Sequence, residues 1–322
     1  MFKENKLIAY GPVPSRRLGQ SLGINNIPPK VCTYSCVYCQ IGRTSQLQIS
    51  REDFYSPKKI FNLVEKKVKD TKLKEEYIDY LTFASDGEPT LDRNIGEEIE
   101  LLKSLGIRIA VLTNASLLWK KEVRSDLKSA DLVSVKIDTV NEEIWQEINR
   151  PHGSLHLKKI LDGIIKFSKE YRGELITESM IIKSMIFRPE EIERTANFIV
   201  RINPEICYLT VPIRPPAEDW VRSPTEFELF NAYLLFLQKG INVEYLSGYE
   251  GNAFICTGNV EEDLLGITAV HPMREDEVKE YLKNAHKSWK VIETLVHDGK
   301  LKETIYGSSK FYVGDLLHKY KN

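Results

Sequence analysis

Cys32, Cys36 and Cys39 fall within eight residues of the stretch KVCTYSCVYCQIGRT, residues 30–44, and the other two cysteines, Cys207 and Cys256, stand far downstream. Thiols this close together hold structural zinc or an iron–sulfur cluster. A closed zinc site takes four ligands, normally as two separated pairs. Here the spacing is C-x3-C-x2-C, and the first histidine of the chain is His152. The ferredoxin run, C-x2-C-x2-C with a further cysteine, is a different spacing. A four-iron cubane on three thiolates leaves one iron open to a substrate or cofactor, whereas zinc would need a distant His or Cys to complete it. Five cysteines, an odd number, do not make a disulfide framework.

Other residues could serve such a site. In ASDGEPTL, residues 84–91, Gly87 allows close backbone approach and Glu88 offers an acceptor for a cationic amine; the plainer reading is a turn with Asp86 and Glu88 solvated. Asn114 stands in VLTNAS, in a turn where Asn is common for backbone reasons. In SVKID, period-2 alternation puts Ser134, Lys136 and Asp138 on one face. Arg16, Arg17 and Arg214 offer charge to an anionic group, with ordinary surface charge or a proline-stiffened loop as the alternatives. Cys207, within an apolar run, reads as a buried small hydrophobe.

These residues need a frame. Apolar, β-branched runs at 21–26, 78–84, 107–113, 132–138, 175–182 and 206–212 read as strands. Amphipathic segments at 57–70, 95–105, 120–128, 157–170, 189–202 and 225–239 read as the intervening helices. The run 241–246 reads as an edge strand. Repeated β-α units with near-continuous apolar strands imply an α/β fold, a partial (β/α)6 barrel of parallel strands, with ligands beyond the strands' C-terminal ends. Residues 1–250 would form this core and 251–270 a linker or mixed segment. Residues 271–322, two helical patterns and a hairpin around Gly307, resemble a winged helix-turn-helix module. The 322 residues carry 42% hydrophobic and 28% charged side chains and a net charge of −1, which gives no general case for nucleic-acid or membrane binding. No run approaches the roughly 18 apolar residues of a membrane span. The N-terminus lacks a signal-peptide core, so a cytoplasmic location is expected.

C-x3-C-x2-C with Tyr38 before the last cysteine resembles the motif of the radical S-adenosylmethionine (SAM) superfamily. DGEPT after the second expected strand is similar to that family's GGE motif, with Asp86 in place of a glycine, and TNAS after the third is similar to its T-N-G/A turn. GPVPSRRLGQSLGINNIPPK and INRPHG (148–153) further resemble a group described as wyosine-synthase-related. The resemblance implies a [4Fe-4S] cluster on Cys32, Cys36 and Cys39 whose open iron binds SAM, and reductive cleavage of SAM to a 5′-deoxyadenosyl radical. It implies that Asp86, Gly87 and Glu88 hold the methionyl ammonium, that Asn114 makes a polar contact, and that Ser134, Asp138, Glu178 or Ser179 holds ribose. Tyr38, Val211 and Ile213 would pack on adenine.

The partners expected are an electron donor such as a flavodoxin or ferredoxin, and an RNA or protein substrate. Residues 271–322 hold ten Lys and Arg against eight Asp and Glu, a surplus too small to decide for RNA. A zinc-stabilised nucleic-acid-binding regulator is the reading from another class.

Overall fold

A computed structural model describes residues 8–183, 189–246, 254, 256 and 259–314. The chain begins with the hairpin β1 (Ala9–Ser15) and β2 (Gly19–Ile24). The short strands β3 (Val31–Cys32) and β4 (Gln46–Leu47) then pair and close the base of the cysteine loop. From there strands and helices alternate: α1 (Pro57–Lys72), β5 (Tyr80–Phe83), α2 (Ile95–Lys103), β6 (Arg108–Thr113), α3 (Lys121–Asp126), β7 (Leu132–Lys136), α4 (Glu142–Ile148) and α5 (Leu157–Glu170). The series continues with β8 (Glu174–Met180), α6 (Pro189–Ile202), β9 (Ile206–Thr210), α7 (Glu226–Leu237) and β10 (Val243–Leu246).

One sheet runs β1-β2-β5-β6-β7-β8-β9-β10. Every pair after β1-β2 is parallel. The sheet curls into an open half-barrel, as the alternation of apolar strands and amphipathic helices predicts. Strand β1 was not foreseen, because Pro12 and Pro14 argue against a strand interior; an edge tolerates them.

The parity of each strand explains where the cavity lies. Outward residues such as Leu22, Leu81, Ile109, Val133 and Leu209 pack under the helices in the main core. Inward residues begin apolar and end polar. Tyr80, Ala110, Leu132, Ile176 and Tyr208 form an inner plug with Leu18. One or two steps on along the same faces, Thr82, Ser134, Lys136, Glu178 and Thr210 line an open cavity at the C-terminal ends of the strands.

The open flank is covered by the C-terminal residues: α8 (Val260–Val270), β11 (Met273–Arg274), α9 (Glu275–Asn284), α10 (Lys290–His297) and the hairpin β12 (Leu301–Tyr306) and β13 (Ser309–Gly314). Strands β11, β13 and β12 form a small sheet. Ile267, Met273, Val278, Tyr281, Leu295 and Tyr312 share a separate core. Helix α8 thus packs with this unit; it lies within residues 251–270, expected as a linker or mixed segment, and much of 251–259 lies outside the described residues. Its period is blurred in the sequence because it is buried on two sides, against β1 and against the C-terminal core.

Candidate active site at the cysteine loop

The cysteine loop leaves β3 and returns through β4, and it is tied down on every side. Lys30 N donates to Asp86 O at 2.7 Å and Glu88 N donates to Val31 O at 3.2 Å, which zips the DGE turn against the approach to Cys32. A Cβ on Gly87 would lie 1.8 Å from Val31 O, so only glycine allows that contact. On the far side Val37 N donates to Ile148 O at 2.9 Å. Glu218 holds Arg43 through Nε at 2.8 Å and Nη2 at 2.9 Å and Arg150 through Nη1 at 2.5 Å, while its own N–H donates to Val37 O at 3.0 Å.

Cys32, Cys36 and Cys39 open into a cavity of about 400 Å³ that also exposes Tyr38, Asp86, Gly87, Glu88, Asn114, Ser134, Val211 and Ile213. Burial pushes all three thiols up, Cys36 to about 12, with the charge of Asp138 as a further cause there. Ligation deprotonates a thiol, so loading this site releases protons. Among the described residues no group of His, Cys, Asp and Glu converges on a point that would hold a single metal ion. A cubane makes no such demand, since it binds three thiolates at three different irons. The three thiols on one cavity wall, with the Gly87 approach beside them, fit a cluster of that kind.

Glu88 is 1% exposed, and burial raises its carboxyl while four donors pull it back. Oε1 accepts from Thr113 Oγ1 at 2.6 Å, Thr90 Oγ1 at 2.5 Å and Thr90 N at 3.1 Å; Oε2 accepts from Asn114 N at 2.8 Å. Oε1 is crowded, and Oε2 keeps capacity toward the cavity.

Two residues expected at the cofactor are not cavity walls. Strand β7 ends at Lys136, so the alternation that put Asp138 beside Ser134 no longer holds two residues later. Asp138 instead lies behind Tyr38, accepting from Tyr38 OH, from Asn149 Nδ2 at 2.7 Å and from Met180 N at 2.8 Å. On β8, Glu178 and Met180 face the cavity, so Ser179 must face away; its Oγ donates to Ile137 O at 2.5 Å. Lys136 bonds Glu178 at 3.0 Å, and Arg17 pairs with the same carboxylate. Cys207 is fully buried in β9, and Cys256 packs against the C-terminal core. The C-terminal unit itself reaches the cavity: Val270 and His271 line it, Gln40 Nε2 donates to Val270 O at 2.7 Å, and Arg214 Nη2 lies 2.7 Å from His271 Nε2. Sequence reasoning gave no role to Asn149, although it stands in the noted INRPHG stretch.

Residues 26–199, more than half of the chain, match the Radical SAM superfamily. The chain belongs to the radical SAM superfamily. A UPF0026 protein of Methanocaldococcus jannaschii is 50% identical over 98% of both chains. Among solved structures, Streptococcus suis SuiB bound to precursor peptide SuiA has a TM-score of 0.54 at 14% identity, covering 70% of this chain and 49% of that one. TYW1 with a lysine-pyruvate adduct bound has a TM-score of 0.50 at 13% identity, covering 73% and 76%. At these identities the structural likeness establishes the fold. The chain is therefore a radical SAM enzyme with the family's curled parallel half-barrel, and the family implies SAM and a [4Fe-4S] cluster. Among the described residues no helix is long and apolar enough to cross a membrane.

Proposed function

We propose that Cys32, Cys36 and Cys39 ligate a [4Fe-4S] cluster and that SAM binds beside it, across the floor formed by β5, β6 and β7. The observation that carries this reading is the convergence of the three thiols, the DGE turn and Asn114 on one cavity. When bound, the pair supplies one-electron cleavage of the sulfonium and a carbon radical that takes a hydrogen atom from substrate. Glu88 Oε2 accepts the methionyl ammonium, with Thr90, Thr113 and the Asn114 N–H fixing the carboxylate. Ser134 stands within the cavity for a ribose hydroxyl, and Tyr38, Val211 and Ile213 supply the apolar surface for adenine. Val270 and His271 close the flank against water.

Five Arg and Lys, namely Arg16, Arg17, Lys30, Lys136 and Arg214, line the cavity against Asp86, Glu88 and Glu178. That balance favours a substrate carrying an anionic group near the rim. RNA answers that description, and the helix, strand, two helices and hairpin of the C-terminal unit follow the element order of a winged helix that would hold it. A protein or peptide partner docked by that unit is the second reading, in keeping with the unit's near-balanced charge. An electron donor of the flavodoxin or ferredoxin type supplies the reducing electron.

Anaerobic reconstitution with iron and sulfide, then reduction with SAM, is expected to give 5′-deoxyadenosine, and Cys36→Ala is expected to give none. Product from Cys36→Ala would remove the ligand assignment; zinc without iron or sulfide in an anaerobic preparation would favour the regulator. Affinity for bulk tRNA that falls with added salt supports RNA, and recovery of one protein without RNA in a native pull-down supports the partner reading.

A further inference from the structure

Two asparagine amides reach the sulfurs of the cysteine triad. Asn149 Nδ2 lies 3.5 Å from Cys36 Sγ, and Asn114 Nδ2 lies 3.6 Å from Cys32 Sγ. Neighbours fix which end of each amide faces sulfur. Asn149 Nδ2 also donates to Asp138 Oδ2 at 2.7 Å, an oxygen that accepts from Tyr38 OH as well, so the NH2 end points that way. Asn114 Oδ1 accepts from Ser116 N at 3.0 Å, which turns its NH2 end toward Cys32 and Thr33 Oγ1, the latter at 2.8 Å. Asn149 is buried, follows directly on α4, and is braced by Tyr38 OH at 3.0 Å. Asn114 follows directly on β6. The two amides therefore arrive from two separate elements, β6 and α4.

An N–H aimed at a ligating sulfur stabilises negative charge there, and more so in the state that carries the extra electron. We propose that Asn114 and Asn149 are positioning residues for electron uptake: their amide N–H groups favour the reduced cluster and raise its reduction potential above what the three thiolates alone would give. This rests on the reading that the triad holds the cluster.

The test is an anaerobic redox titration of the reconstituted holoenzyme, following the reduced-cluster signal by electron paramagnetic resonance. Asn149→Ala and Asn114→Ala are each expected to move the midpoint to more negative values, and the double variant by about the sum. Resonance Raman bands of the Fe–S(Cys) stretches are expected to shift on transfer to D2O in the wild type and to shift less in each variant. Unchanged midpoints at full iron and sulfide content would overturn the proposal. If Asn149→Ala cannot retain a cluster, the Asn114→Ala midpoint decides alone. A wild-type protein that takes up no iron and sulfide marks instead the failure of the cluster reading, and the inference falls with it.

Discussion

Glu88 shows how much one buried carboxylate is asked to do. It is held by Thr90, Thr113 and the Asn114 N–H, and Oε2 alone keeps capacity for a ligand's ammonium. Glu88→Gln keeps the shape and removes the charge. A hydrogen bond to a charged group is worth about 1.5–3 kcal/mol, so SAM affinity is expected to fall about 10- to 100-fold by equilibrium dialysis, with cluster content unchanged. Affinity equal to wild type would show that the ammonium lies elsewhere. Gly87→Ala puts a methyl into Val31 O and is expected to prevent stable cluster loading, read as iron and sulfide per chain after reconstitution. The motif residues were legible because type and spacing are local properties. Asn149 was not, because its partner Cys36 is 113 positions away and only α4, itself unforeseen, brings the two together.

At the scale of elements, parity explains both what the sequence reveals and where it fails. Inward positions on β5 to β9 follow the period of two, which places Ser134 and Lys136 on the cavity face and decides between the neighbours Glu178 and Ser179 in favour of Glu178. Asp138 lies past the end of β7 and Ser179 has the wrong parity, so neither reaches the cavity. A second element-scale feature is the buried contact between Asp92, after the DGE turn, and Glu98 on α2. Asn26 Nδ2 donates to Glu98 Oε2 at 3.1 Å; burial raises both carboxyls, Asp92 to about 7, and the charge of Asp92 raises Glu98 further. A carboxyl raised on folding stabilises the fold below the ordinary carboxylate range, and that contribution is lost as pH rises toward its folded value. The pair should therefore weaken the fold between about pH 4 and about pH 7. Glu98→Gln can donate to Asp92 without a shared proton, so its urea midpoint is expected to vary less across this window and to exceed the wild-type midpoint above pH 7. Parallel pH profiles for the two proteins would refute the shared-proton account.

The molecule as a whole has two cores joined along the open flank of the half-barrel, and a buried ion pair crosses the join. Lys67 of α1 reaches Asp263 of α8 at 2.8 Å, and Tyr281 OH of α9 donates to the same carboxylate at 3.1 Å. The Asp263 side chain is 1% exposed. Removing the cation leaves a buried charge with its main counter-ion gone, which costs about 3 kcal/mol or somewhat less where the lysine is partly hydrated. Because α8 carries Val270 and leads into His271, the same join sets one wall of the cavity. Lys67→Met is therefore expected to loosen the C-terminal unit before the sheet. In hydrogen exchange, amides of α8, α9 and β13 should lose protection while those of β5 to β8 keep theirs. Lys69→Met on the same helix removes only an exposed pair with Glu65 and is expected to change neither. If Lys67→Met lowers protection evenly across both cores, the two units open as one, and the flank is no separate point of weakness. If it lowers only the C-terminal protection, access to the cavity and docking of that unit are governed by the same contact.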